Sequence, residues 1–415
     1  GLVGSEMCIR DSDKSFYNSF QVIFLISDNN FLLFRGNAMA IGIICEFNPF
    51  HNGHKYLIQK AKSLVNEPVA VVMSTSFTQR GEIAITDKFT RAKSALLGGA
   101  DLVIELPVAY AVSNAEVFAK SGVKILSSFS RLTHLAFGCE NSDIELLKQT
   151  ADAHKNTAVQ SLVAKEMQNG SYYPKAIESA VRAIYGDKTA EILATPNNVL
   201  AVEYLKALPS NISPLPIRRE GVEHDSENTE NGFASASYIR EQLKQGKNIA
   251  EFAPFEPTEL ALPDNLETAL LYKLRSMSVH QLADLPDVTE GLENRIYTAV
   301  HEYNSVNEIL FAVKSKRYTL ARLRRILICA LLNITKEIQN TEPCYARVLG
   351  FTNDGTKILK SCTLPVITSV KKGLSLGGNT EKLLKTEIFA TDVFSLAVNP
   401  PKKCGADFTT PIIKI

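Results

Sequence analysis

MAIGIICEFNPFHNGHKYLIQKAKSL, residues 39–64, holds a strand, a tight turn and a helix in one unbroken run. Ile41, Ile43, Ile44 and Cys45 form a short apolar strand, and Glu46, Phe47, Asn48 and Pro49 turn the chain. From about Gly53 the apolar residues Tyr56, Leu57, Ala61 and Leu64 recur at helical spacing. Into the turn go His51 and His54, three residues apart, with Asn52 and Gly53 between them.

Downstream the alternation repeats. VAVVM (69–73) is a β-branched run suited to a strand buried on both faces, and the polar loop STSFTQRGE (74–82) follows it. Asp87 to Leu97 predicts a helix closed by Gly98-Gly99, and LVIEL (102–106) a third buried strand stopped by Pro107. Ala115 to Ser127 predicts another helix, and His134 to Phe137 a fourth strand ending at Gly138. Such alternation predicts an α/β fold with a Rossmann-like, doubly wound parallel sheet, whose ligands sit at the carboxyl ends of the strands.

From Ser142 the pattern is helical, with a long helix expected to Asn169 and another from Tyr173 to Tyr185. PNNVLAVEYLKAL (196–208) predicts a helix opened by Asn197 or Asn198, followed by strand-like LPIRRE (215–220). After the polar linker GVEHDSENTENG, a helix begins at Ser235 or Ser237. Pro254, Pro257 and Pro263 mark an expected boundary, giving domains at 39–246 and 247–415; the second is mainly helical α+β, with strand candidates YARVLGF (345–351) and LPVITSV (364–370). Residues 1–38 are expected to be a non-native leader: GLVGSEMCIRDS resembles translated sequencing-adapter DNA, and Met39 reads as the start.

At 415 residues, 45% hydrophobic and 21% charged, the chain has the composition of a globular protein of two or three domains. Its net charge of +1 gives no global field toward nucleic acid or membrane, so any basic surface is local. Seven scattered cysteines without a CxxC point to a reducing cytoplasm and away from a structural zinc site. The stretch from Phe20 to Phe34, broken by Ser27-Asp28-Asn29-Asn30, is too short and polar to span a bilayer.

A helix N-terminus presents unpaired amides and a positive dipole end, and two imidazoles at i and i+3 add donors beside the same anion. Gly53 lets the backbone approach closely. This suits charge stabilisation on a nucleotide's α-phosphate while pyrophosphate departs. Histidines near a helix start also occur as plain surface residues, and HxxH is half of some metal sites; the spacing does not choose.

IGIICEFNPFHNGHKYL resembles the HxGH signature of the nucleotidyltransferase superfamily, and EFNPFHNGHK the tRNA(Met) cytidine acetate ligase family in particular. Further strings fall in that family's order: residues 79–107, AFGCENSDI (136–144), PNNVLAVEYLKAL, KSKRYTLARLRRIL (314–327) and RVLGFTNDG (347–355). The resemblance implies that acetate is activated by ATP as acetyl-adenylate, then passed to the wobble cytidine of elongator tRNA(Met). Carried over, the ATP site is Ile44, Cys45, Glu46, Phe47, Asn48, Pro49, Phe50, His51, Asn52, Gly53, His54, Lys55, Tyr56 and Leu57, with Gly138, Asn197 and Arg219. His51 and His54 are the catalytic pair. Ser235, Ser237 and Arg240 resemble the second signature, which grips phosphates. Mg²⁺ is implied by ATP chemistry, with no ligand motif visible, and no protein partner is expected. The family usually has a glycine where Thr75 stands.

On local pattern these positions have plainer readings. Gly138 also suits an ordinary turn, Arg219 a surface arginine beside Arg218, and Asn197 or Ser235 a helix cap. Gln79 and Arg80 lie at the same sheet edge as the histidines and are candidates to face acetate or the acceptor. Asp101 and Glu105 are expected to satisfy loop amides or an arginine rather than form a catalytic pair. Between Glu308 and Glu337 no acid offsets Lys314, Lys316, Arg317, Arg322, Arg324 and Arg325, a stripe suited to an RNA backbone. Two other classes fit parts of the pattern: an HxGH adenylyltransferase acting on a small-molecule phosphate, and a non-catalytic RNA-binding protein.

Overall fold

The computed structural model describes residues 39–220, 229, 232–255 and 257–415. The expected leader and most of the 221–232 linker lie outside the described residues. Five strands, β1 (Ala40–Cys45), β2 (Val69–Ser74), β3 (Leu102–Leu106), β4 (Leu132–Cys139) and β5 (Ser213–Arg218), run parallel in the order β5-β4-β1-β2-β3.

Side-chain alternation divides the core into two layers. Ile41, Ile43, Val69, Val71, Met73 and Val103 pack with Ile58 and Ala61 of α1 (Asn52–Val65) and Ala92 and Ala95 of α2 (Lys88–Leu97). Their neighbours Ile44, Ala70, Val72, Leu102 and Ile104 pack with Phe118, Val123 and Leu126 of α3 (Ala115–Ser127). Both faces being covered is why these strands read as continuous apolar runs. Gly122 lets α3 lie directly on β1, since a Cβ there would stand 2.8 Å from Ile44. The chain winds from β1 to β2 and β3 on one side and to β4 and β5 on the other, so the sheet's switch point falls between β1 and β4.

The single helix expected over 142–169 is two, α4 (Ile144–Ala153) and α5 (Thr157–Gln168). Asn156 breaks it, its side chain accepting from the Ala158 and Val159 amides at the start of α5. α6 (Tyr173–Tyr185) matches expectation, whereas α7 (Pro196–Ala207) starts at Thr195, ahead of both asparagines. Ser235 caps α8 (Ala236–Lys244), accepting from the Tyr238 amide.

Beyond 247 come α9 (Glu267–Arg275), α10 (Leu292–Glu302), α11 (Val306–Val313) and α12 (Leu320–Leu331). The chain then returns to the sheet: β6 (Ala346–Phe351) pairs antiparallel with β3, and β7 (Val366–Ile367) and β8 (Ile413–Lys414) flank β6. The sheet therefore runs across position 246, and residues 38–415 form one compact unit.

A buried ion cluster fastens this return. Lys88 Nζ lies 2.9 Å from each of Glu105, Glu387 and Asp407, and Arg347 bridges Glu105 at 2.9 Å and Asp407 at 2.6 Å. Glu387 comes from α13 (Gly378–Ser395). Asp101 instead accepts the Val69 amide at 2.8 Å and meets Lys62 at 2.7 Å. Both carboxylates have the structural partners expected of them.

Candidate active site

At the switch point a cleft of about 390 Å³ opens beyond the carboxyl ends of β1 and β4. His51 and His54 line it together, their rings 3.8 Å apart. Local hydrogen bonding fixes them. His51 is the N-cap of α1, its Nδ1 accepting from the Gly53 amide at 3.0 Å, while His54 Nδ1 accepts from the His51 amide at 3.3 Å. This is a capping box built from imidazoles. An Nδ1 that accepts carries no proton, so each ring holds its proton on Nε2 as a neutral donor. Burial, with the nearby His51 and Arg219, holds His54 well below the usual histidine range.

The α1 amides themselves are committed. The Asn52 amide donates to Phe252 O at 2.8 Å, the Gly53 amide to His51 Nδ1, and the His54 amide to His51 O at 2.9 Å. The sequence reading gave those amides the anion; the structure gives the cleft imidazoles and opposing side chains instead.

Those side chains come from α8. Ser237 and Arg240 line the cleft facing the histidines, and Ser235 and Ser237 hydroxyls lie 3.0 Å apart. Arg240 donates to Asn48 O at 2.9 Å and meets Glu82 at 3.4 Å, so the turn after β1 orients the guanidinium. Glu46, at the foot of that turn, accepts the Gln79 amide at 2.6 Å; burial and the neighbouring Glu82 raise its carboxyl above the usual range. Phe47 is buried with φ 49°, a left-handed conformation uncommon for a bulky residue, and its ring meets His54 edge-on at 4.8 Å.

On the β4 side, Gly138, Asn197 and Arg219 all line the cleft, and a Cβ on Gly138 would approach Arg219 at 3.6 Å. The asparagine pair divides cleanly. Asn197 faces the cleft and donates to Glu140 at 2.6 Å, whereas buried Asn198 accepts from the Glu140 and Asn141 amides. Ile44, Cys45, Glu46, Phe47, Asn48 and Leu57 also line the cleft; burial holds the Cys45 thiol well above its usual range, which makes it inert. Pro49, Phe50, Asn52, Gly53, Lys55 and Tyr56 do not line it. Asn52 instead donates to Gly232 O and Glu251 O, and Tyr56 to Glu220 at 2.7 Å.

Sequence reasoning missed two contributions. Phe118, Phe137 and Tyr204 form an aromatic wall, with Phe137 and Tyr204 rings 5.9 Å apart. These residues sit in ordinary apolar patterns that carry no mark of a ligand. The second is Arg91, 1% exposed, which donates to Glu46 O at 2.7 Å, Ser74 O at 2.9 Å, Thr86 O at 3.1 Å and Thr75 O. One buried guanidinium thus holds the turn after β1 and the loop after β2. Thr75 is not among the residues with positive φ, so the loop has no conformational need of glycine there.

The basic stripe is less uniform than its sequence. Arg325 pairs with Asp287 through two bonds at 3.0 and 2.9 Å, and Arg322 donates to Asp287 O and Thr289 Oγ1 while covering the Tyr318 ring. Arg317 meets Glu290 at 3.4 Å, and Arg324 meets Glu82 at 3.2 Å. Acids absent from residues 309–336 arrive from elsewhere in the fold. Lys314, Lys316 and Arg317 are the exposed members.

The description HIGH Nucleotidyl Transferase belongs to the family model that matches residues 38–407. A tRNA(Met) cytidine acetate ligase from Thermoanaerobacter sp. (strain X514) is 40% identical over 401 residues, covering 90% of this chain and 99% of the relative. Its counterpart from Caldanaerobacter subterraneus subsp. tengcongensis is 39% identical, covering 91% and 100%. Among solved structures, apo Thermotoga maritima TmcAL matches with a TM-score of 0.84 at 30% identity, covering 91% of this chain and 99% of that one. The same protein bound with alpha-thio ATP matches at 0.82.

Proposed function

The chain belongs to the HIGH nucleotidyltransferase family and, within it, to the tRNA(Met) cytidine acetate ligases, and from that premise we propose that its cleft activates acetate with ATP and acetylates the wobble cytidine of elongator tRNA(Met). The observation that carries this reading is the pair of neutral imidazoles facing Ser237 and Arg240 across one cleft at the sheet's switch point.

In the first step an acetate oxygen attacks the α-phosphorus, the bond to the pyrophosphate oxygen breaks, and pyrophosphate leaves with that bond's electron pair. His51 and His54 donate through Nε2 to the phosphate oxygens, and Ser237 and Arg240 hold the departing group. Neutral imidazoles can fill this role because each keeps one Nε2–H to donate while its Nδ1 is held by a backbone amide. In the second step the cytidine amine attacks the acetyl carbon, AMP departs with its oxygen, and one amine proton is released. The aromatic wall and Gly138 accommodate the nucleoside of ATP against β4.

Among the described residues no group of three or more His, Cys, Asp or Glu side chains stands together to hold a metal ion. Mg²⁺ in this reading accompanies the phosphates of ATP rather than occupying a protein cage. The exposed Lys314, Lys316 and Arg317 position the RNA backbone. Among the described residues no helix is long and apolar enough to cross a membrane, and we place the enzyme in the cytoplasm with its tRNA.

The test is acetyl transfer itself. Purified protein given labelled acetate, ATP and tRNA(Met) should place label on a single cytidine, and omission of ATP should abolish it. AMP transfer to a phosphorylated small molecule in place of acetylation would favour the adenylyltransferase reading.

A further inference from the structure

Beside the ATP cleft lies a second cavity of about 450 Å³, within the range of roughly 300–1,000 Å³ typical of small-ligand sites. Its walls come from the loop after β2, from α8 and from the helices beyond 247. Leu270, Leu310, Leu327 and Ile328 make it apolar on one side. Glu82, Ser237 and Arg240 line both this cavity and the ATP cleft, so the two spaces meet at these residues.

Glu82 stands at that meeting point between two cations. Its Oε1 lies 3.2 Å from Arg324, which lines the second cavity, and its Oε2 3.4 Å from Arg240, which lines both spaces. Gly81 sets this up: its φ of 72° and its packing against the Arg324 and Arg325 backbone, which a Cβ would approach to 2.4 Å, let the loop lie flat on α12. Glu82 is the one carboxylate among the described residues that lines both spaces.

The outer rim also has the features of an RNA approach. Asn307 lines the cavity and is itself exposed, and Phe311, one turn further along α11, is 66% exposed. Lys314 follows at the end of the helix, beside exposed Lys316 and Arg317. Exposed cations, an exposed aromatic ring and a pocket in sequence form the pattern by which single-stranded bases are drawn out and held.

We propose that this second cavity receives the unstacked acceptor pyrimidine of the RNA, with Glu82 accepting a hydrogen bond from its exocyclic amine. A carboxylate is the natural acceptor for the cytosine N4 amine, and the uracil O4 would be repelled there. Nucleotide and acceptor thus enter by separate openings and meet at Glu82. The inference rests on the acetyl-transfer reading above, which it deepens.

The test separates the two half-reactions in the full-length protein. Asn307→Trp should fill part of the cavity from its exposed side and lower acetyl transfer to tRNA on the order of 10²-fold, the scale of a misplaced reactant. Acetate-dependent exchange of labelled pyrophosphate into ATP, measured without tRNA, should stay at the wild-type rate, and Asn307→Ala should transfer normally. Wild-type transfer by Asn307→Trp overturns the proposal; loss of exchange together with transfer overturns it too, because the cavity is then not separate from the ATP site. Absence of exchange in the wild-type protein would instead remove the acetyl-transfer reading on which the proposal stands.

Discussion

Two regions of the molecule bury polar and charged groups beside the same sheet, and they do it in opposite ways. Between β3 and β6, Lys88 and Arg347 are closed in by Glu105, Glu387 and Asp407, and their charges are spent on one another. Beyond β1 and β4, burial holds His54 well below the usual histidine range and raises the Glu46 carboxyl, and both groups line an open cleft. Mutual pairing of buried charges fastens a fold; groups oriented by backbone bonds beside a cleft make a site.

The comparison breaks most readily at Lys88. Lys88→Met leaves three buried carboxylates facing Arg347 as their sole cluster cation, and should destabilise the fold by about 3–5 kcal/mol in a denaturant titration. A variant as stable as wild type would show that the cluster does not secure the C-terminal return.

His54→Ala should change stability far less and chemistry far more. Loss of one aligned donor predicts a fall in pyrophosphate exchange on the order of 10²–10³-fold, with tRNA affinity retained. Equal loss of both would erase the proposed division of labour.

A third test uses pH. His54 is held below the ordinary value of about 6.5, so between its folded value and 6.5 the unfolded chain binds the extra proton. Its contribution to stability is therefore present above pH 6.5 and is lost as pH falls from 6.5 toward the folded value. Exchange should show no inflection near 6.5. An inflection there that vanishes in His54→Ala would contradict the neutral imidazole.

The smallest effect concerns RNA. Lys314→Ala with Lys316→Ala should reduce the slope of log affinity against log salt by about one to two, if each lysine makes the one phosphate contact proposed for it. Arg325→Ala is a poorer probe, because Arg325 holds Asp287 and its removal disturbs the helical packing.

Much of this was legible in the chain. The strand runs at 69–73 and 102–106 and the helix signals at Asp87 and Ser235 are local, and local physics places them. HxGH and the Ser235–Arg240 segment are far apart in sequence, yet topology brings them to one cleft. What escaped reading was non-local. Asp287, Glu290 and Glu82 balance arginines 27 to 242 residues away, and no linear scan of a charge run sees them. β6 looked like a strand of a separate domain, but its pairing with β3 depends on a register that only the folded sheet defines. Asn156 carried a cap signal that the longer helical pattern overrode.

The most direct measurement of the central claim is exchange of labelled pyrophosphate into ATP by the wild-type protein, without tRNA, in the presence and absence of acetate. The account predicts exchange that requires acetate and proceeds without RNA. Exchange indifferent to acetate, or none until tRNA is added, would contradict it.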